Sequence, residues 1–292
     1  MLYDITASID YAYNQPSVLG RTLLRLMPVS LPGVQKLVAG ALTTQPAAAE
    51  RIDRVDFFGN PVTELAFRDA TRSASFRIQA RVERIAQAPV LDLSPPLKRL
   101  AEELYDYDDL GPAAPHHFLG ASERVHPSPA MTAYAREHLA EGATALAVVQ
   151  ALGGALHRDL RFDAGATTVE TDPDEAFAAR HGVCQDFSHV MIACLRGIGI
   201  PAGYVSGYLR TRPPKGRPRL AGADAMHAWV RAWCGVEFGW VEFDPTNDVM
   251  VGSDHILVAV GRDYDDVAPV KGVLRTAGRS ASGHSVDVVP LD

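Results

Sequence analysis

Cysteine is scarce: Cys184, Cys194 and Cys234 are the only three in a chain of 292 residues. Three distant thiols make no disulfide framework, so core packing rather than cross-linking must hold the fold. Positive charge is also short. The net charge is −7 and the sequence pI about 5.8, which argues against a nucleic-acid partner, because such binders carry a basic face. The one basic cluster, Arg210 to Arg219, is broken by Pro213, Pro214, Gly216 and Pro218 and reads as an exposed loop. No run approaches the roughly 18 apolar residues of a membrane helix, so no membrane partner is expected. The opening Met1-Leu2-Tyr3-Asp4-Ile5-Thr6 has no basic segment leading into an apolar run. No signal peptide is expected, and a reducing cytoplasm is the expected compartment. Paired, short-spaced zinc ligands are lacking too. Cys184, His181, His189 and Cys194 form no such set, so neither metal nor cofactor is expected. No internal repeat or extended low-complexity tract is present.

What is there supports a sizeable core: apolar residues make up 47% and charged residues 22%. Residues 1–90 read as a β-rich, antiparallel, sandwich-like domain. Tyr3, Ile5, Ala7, Ile9 and Tyr11 alternate with polar residues, as do Phe76, Ile78, Ala80 and Val82. Thr22 to Val29 reads as a strand, and Arg54 to Phe58 with Val62 to Phe67 as a hairpin. Leu31 to Ala49, rich in Ala, Gly and Pro, reads as a long loop. Residues 91–128 are a Pro-rich connection with a short helix near Leu97 to Leu104. Residues 129–292 form a second unit of helices followed by antiparallel strands, so the fold class is α+β. Its helices are expected at Pro129 to Glu141, Ala143 to Leu160 and Pro173 to Arg180, the last capped by Asp172. Strands are expected at Ala202 to Leu209, Ala225 to Cys234, Gly239 to Asp244, Ile256 to Val260 and Ser285 to Val289.

One stretch organises this second unit: Arg180-His181-Gly182-Val183-Cys184-Gln185-Asp186-Phe187. A glycine turn runs into a cysteine, and the cysteine into a helix. Phe187, Met191, Cys194, Leu195 and Ile198 share one helical face, and Cys184 stands at its head. Amide dipoles at a helix start favour the thiolate, which is how a nucleophilic cysteine is made.

A thiolate nucleophile needs a histidine as base and acid, and the histidine needs a group to fix its tautomer. His116, His117, His126, His138 and His284 read as solvated. His189 falls off the face of Cys184, and His181 precedes the turn. His227 lies on a strand beside Trp229, Arg231 and Trp233. The next strand, Trp240-Val241-Glu242-Phe243-Asp244, ends in a carboxylate. A hairpin closed by four residues, Cys234 to Glu237, sets Trp233 opposite Phe238 and His227 directly opposite Asp244. A slip of one residue would undo that pairing.

Four motifs in order carry a resemblance: Gly182-Val183-Cys184-Gln185-Asp186, then Ile198 to Tyr208, then His227-Ala228-Trp229-Val230, then Phe243-Asp244-Pro245-Thr246-Asn247. The chain resembles the bacterial transglutaminase-like superfamily over residues 130–265. Its β-rich start and Gly261 to Val267 resemble one bacterial branch. The resemblance implies a papain-like core, helices packed on an antiparallel sheet, with Cys184 as nucleophile, His227 as base and acid, and Asp244 as orienting group. Animal members cross-link glutamine to amines and need calcium. No EF-hand-type loop is present, so calcium dependence is not carried over.

The expected activity is acyl transfer through a thioester on Cys184, acting on a peptide, protein or small amide. Hydrolysis is expected over amine cross-linking. The backbone N–H of Cys184 is the expected first oxyanion donor. Gln185, Tyr204 and Trp229 are candidates for the second donor or for substrate contact. The competing reading is a binding scaffold that retains the three residues without using them.

Overall fold

A computed structural model describes residues 1–85, 91–211, 224–273 and 278–291. The basic proline segment lies outside the described residues from position 212 onward. The strands are β1 (Leu2–Ser17), β2 (Arg21–Leu24), β3 (Gln35–Gln45), β4 (Glu50–Val55), β5 (Pro61–Ala66), β6 (Thr71–Arg84), β7 (Arg161–Phe162), β8 (His181–Gly182), β9 (Ala202–Leu209), β10 (Ala225–Trp233), β11 (Trp240–Asp244), β12 (Val249–Met250), β13 (His255–Gly261), β14 (Val270–Gly272) and β15 (Ser280–Pro290). The helices are α1 (Leu97–Tyr105), α2 (Pro129–Glu137), α3 (Ala145–Asp159), α4 (Pro173–Ala179), α5 (Cys184–Gly197) and α6 (Tyr264–Val267).

Alternation in the first strand decides the first sheet. Tyr3, Ile5, Ala7 and Ile9 are buried while their neighbours are not. They stand opposite Val82, Ala80, Ile78 and Phe76 of β6, and Ile5 and Ala7 stand opposite Val288 and Val286 of β15. Apolar partners on one face fix the register, because a one-residue slip would turn every side chain to the other side. The resulting order is β15-β1-β6-β3, and a second antiparallel sheet runs β14-β2-β5-β4. Both recruit a strand from the far end of the sequence. The segment read as the last strand, Ser285 to Val289, thus completes the sheet begun by Leu2.

The loop expected over Leu31 to Ala49 is instead largely β3, paired with β6 over its length. Of its eleven residues only Gln35 and Leu42 are buried, so main-chain pairing at a sheet edge rather than an apolar pattern makes the strand. Gln35 also ties the sheets together. Its Nε2 donates to the carbonyls of Val29 and Leu257, and its Oε1 accepts the Leu257 N–H.

The third sheet, β12-β11-β10-β9-β13, is antiparallel and carries α5 on one side. α5 is buried all round from Gln185 to Leu195, not on one face as its apolar spacing predicts. α2, α3 and α4 pack on it from outside and the sheet from inside, which is the setting of a central helix. No helix among the described residues is long and apolar enough to cross a membrane.

Candidate active site

The cysteine turn is built by short-range devices. Asp172 caps α4 by accepting the Asp174 N–H at 2.8 Å, and Pro173 follows at the first turn. α4 ends at Arg180, in the left-handed region with φ 56°. β8 then pairs in parallel with β7, and the Gly182 carbonyl accepts the Asp163 N–H at 2.9 Å. Gly182 is required here. A Cβ at this position would lie 2.6 Å from Asp186 Oδ2. Asp186 folds back over the helix start, where its Oδ2 accepts the Val183 N–H at 2.7 Å and the Thr167 hydroxyl at 2.6 Å. Burial pushes the Asp186 pKa up, against the pull of those two donors. Cys184 is left as the first helical residue, half-buried. Cys194 and Cys234 are fully buried, and burial pushes both thiols up to about 12.

The hairpin that carries the imidazole and carboxylate is offset by two residues from the expected register. Trp233 pairs with Trp240 and Val230 with Phe243. The loop is longer than expected and is closed by Cys234 N–H to the Gly239 carbonyl and Gly239 N–H to the Gly235 carbonyl, both at 2.8 Å. Gly235 and Gly239 supply the positive φ values, 100° and 74°, that the tighter four-residue closure would not need. An offset of two keeps every side chain on its face. Asp244 is therefore diagonal to His227 rather than opposite, and His227 Nε2 still lies 2.7 Å from Asp244 Oδ2.

Asp244 is completely buried and saturated with donors. Its Oδ1 accepts the N–H groups of Thr246 at 3.0 Å and Asn247 at 3.2 Å. Its Oδ2 takes His227, the Asn247 amide at 2.7 Å and His255 Nε2 at 3.1 Å. Burial alone would raise the carboxyl, but hydrogen bonds from both histidines outweigh it and hold Asp244 well below the usual carboxylate range. Burial likewise disfavours the imidazolium of His227. Hydrogen bonds to Asp244 and Cys184, with their charges, reverse this and push the ring up to about 10. With Nε2 engaged by Asp244, Nδ1 is the nitrogen left for the thiol.

Cys184 and His227 open onto one cleft of about 470 Å³. Gln185 lines it, with one amide proton given to the Val169 carbonyl at 3.2 Å. Tyr204 lines it too, its ring against His189 and Tyr264. Trp229 does not line it. Its indole N–H donates to Glu242 Oε2 at 2.8 Å, and its ring lies edge-on to His255 and over Gly207. That N–H is committed elsewhere.

Neither His255 nor the cleft wall from Ser282 to His284 is marked as part of a site by the sequence, and Asn247 enters it only as the end of a motif. His255 opens β13, and only the fold sets β13 within reach of the end of β11. The Asp244-Pro245-Thr246-Asn247 turn carried a local signal for Asn247, since an aspartate commonly accepts N–H groups two or three residues on. Among the described residues, the group able to offer a metal three ligand atoms is His227, Asp244 and His255. All three atoms are already spent on one another, with the Asn247 amide on the same oxygen. The residues weighed for zinc in the sequence are not brought together there.

A thiol heading a central helix, facing a strand imidazole backed by a buried carboxylate, defines a papain-like cysteine enzyme. The chain belongs to the transglutaminase-like superfamily: residues 132–245 match its core and residues 3–83 match the bacterial transglutaminase-like N-terminal region. It is similar to the uncharacterized protein Rv2569c of Mycobacterium tuberculosis, 35% identical over 270 residues, covering 88% of this chain and 83% of that one. The uncharacterized protein ML0607 of Mycobacterium leprae is 45% identical over 133 residues, 44% of each chain. A crystal structure of a provisionally named cysteine protease from Cytophaga hutchinsonii shares the fold, with TM-score 0.70 and 22% identity over 100% of this chain and 91% of that one.

Proposed function

We propose that the protein is a cysteine-dependent acyl-transfer enzyme that cleaves a peptide or carboxamide bond with water as acceptor. The observation that carries this reading is the placement of His227, buried between Asp244, whose Oδ2 lies 2.7 Å from its Nε2, and Cys184 at the edge of the cleft. An imidazolium facing the sulfur stabilises a thiolate nucleophile.

In the first step the Cys184 sulfur bonds to the carbonyl carbon and the C–N bond breaks. His227 gives its proton to the departing amine, leaving a thioester. In the second step His227 takes a proton from water, the hydroxide carbon–oxygen bond forms, and the C–S bond breaks. The product leaves as the carboxylic acid, which gives its proton to solvent, and the thiolate–imidazolium pair is restored. Asp244 orients the ring and stabilises its cation throughout. The backbone N–H of Cys184 is the first oxyanion donor, free of an intrahelical acceptor because it starts the helix. The second amide proton of Gln185 is the candidate for the second. Water is favoured as acceptor because one cleft wall, Ser282 to His284, is solvent-exposed, whereas amine transfer needs water excluded.

Turnover of fluorogenic peptide amides, with and without an added primary amine, tests this. The free acid is the expected product, and Cys184→Ala abolishes its release. Retained turnover in that variant overturns the reading. An amide product formed in preference to the acid reassigns the enzyme to cross-linking.

A further inference from the structure

Two walls of the cleft come from strands of different sheets. β10 contributes Met226, His227 and Ala228, and β15 contributes Ser282, Gly283 and His284. The two strands meet at one antiparallel bridge, Asp224 with Val286. Asp224 Oδ2 reinforces the junction by accepting the Val288 N–H at 2.6 Å. If that register continued toward Cys184, Met226 would face His284, His227 would face Gly283, and Ala228 would face Ser282. These residues line two walls of the cleft instead. The strands part just beyond the bridge, and the gap between them leads to the thiol.

β15 is an edge strand of its sheet. Among the described residues, no strand pairs with its outer edge between Ser280 and Ser285. That stretch is exposed and, His284 apart, small. A Cβ on Gly283 would meet nothing within 4 Å. An edge of this kind is a template for an extended chain. The dimensions agree. A residue in a sheet takes up about 160 Å³, from a 3.3 Å rise, 4.8 Å strand spacing and 10 Å sheet thickness. A cleft of about 470 Å³ then holds about three residues.

We propose that the substrate is an extended polypeptide segment, bound as an added strand along the outer edge of β15 with its scissile carbonyl at Cys184. This rests on the acyl-transfer reading above and narrows its substrate class. Main-chain hydrogen bonds supply the affinity. Ile9, Tyr11 and Val270 contact one side of the inserted strand, so apolar side chains are preferred at alternate positions. Small amides lack the backbone to use the slot.

Binding is measured on the Cys184→Ala protein, so that it is separated from turnover. The probes are fluorescein-labelled hexapeptides with valine, leucine or phenylalanine at alternate positions, read by anisotropy. Methylating backbone nitrogens on one alternating set should weaken binding at least tenfold, and on the other set less than threefold. Gly283→Phe in the same background should also weaken binding at least tenfold. Absent binding, or binding indifferent to methylation, overturns the proposal whether or not Gly283→Phe folds. Strand-like binding without cleavage by the native enzyme would leave the docking edge standing and sink the acyl-transfer reading, and with it the segment's role as substrate.

Discussion

Replacing Asp244 by asparagine exchanges one oxygen for an NH₂ group and should damage both fold and chemistry. Five donors converge on this buried carboxylate, two on Oδ1 and three on Oδ2. Asparagine keeps one acceptor oxygen and sets an NH₂ group against the donors on the other side. At least two buried donors are then left facing a donor, at about 1–3 kcal/mol each. The expected loss is about 2–6 kcal/mol, a fall in Tm on the order of 10 °C. The chemical loss follows from His227, whose pKa of about 10 compares with 6.5 for the unperturbed ring. That difference is worth roughly 5 kcal/mol of imidazolium stabilisation. Hydrogen bonding to Asp244 is the largest of the effects that raise the ring, so the asparagine should slow the rate by on the order of a hundredfold. Thermal denaturation reads the first effect. The rate of iodoacetamide labelling at Cys184, mapped by mass spectrometry, reads the second. A variant with native Tm and native labelling rate would refute the reasoning, because no other group among the described residues is placed to take the donors.

Other expectations follow from single contacts. His255→Leu removes one donor from Asp244 and should lower kcat/KM about tenfold, with stability reduced by about 1–3 kcal/mol. His255→Gln, which keeps an amide donor, should recover most of both, and equal damage by the two variants would show that packing alone is at stake. A Cβ on Gly153 would lie 2.1 Å from the Phe243 ring. Gly153→Ala should therefore push α3 off β11 at a cost of about 1–3 kcal/mol, and lower turnover by displacing Asp244 next in sequence; unchanged Tm and kcat would contradict this. Burial lowers His189 to about 4 from 6.5. Below pH 6.5 the unfolded chain binds a proton that the native state refuses until about pH 4, so stability falls across that window by up to roughly 3 kcal/mol. His189→Gln, which can still accept the Tyr264 N–H, should flatten the urea-unfolding difference between pH 7 and 4.5. An unaltered difference would assign the acid sensitivity elsewhere.

How much of this was legible in the sequence depended on range. Helix starts were, because their signals are local: Pro129, and Asp172 with Pro173, announce α2 and α4 where they begin. The pairing of His227 with Asp244 was legible through period-two alternation, which survives a register error of two. The error itself came from the Gly235 and Gly239 turn, whose extra residues no apolar pattern marks. Strand β3 was hidden because its ladder to β6, not its side chains, makes it a strand. His255 and the β15 wall were hidden for a stronger reason. The wall meets the site across a long stretch of chain, His255 reaches Asp244 over the turn that follows β12, and nothing beside His255 or Gly283 in sequence speaks of Cys184. Trp229 misled for the opposite cause: it neighbours His227 in sequence but spends its N–H on Glu242.

The central claim is that Cys184 carries the acyl group. Rapid acid quench during turnover of a peptide amide, followed by peptide mapping, measures that directly. The account predicts an acyl adduct on Cys184 that hydroxylamine discharges, absent in Cys184→Ala and depleted in His227→Ala. Cys194 and Cys234, buried and with thiols held at about 12, should stay unmodified. Product formed with no adduct on Cys184, or an adduct on either buried cysteine, would contradict it.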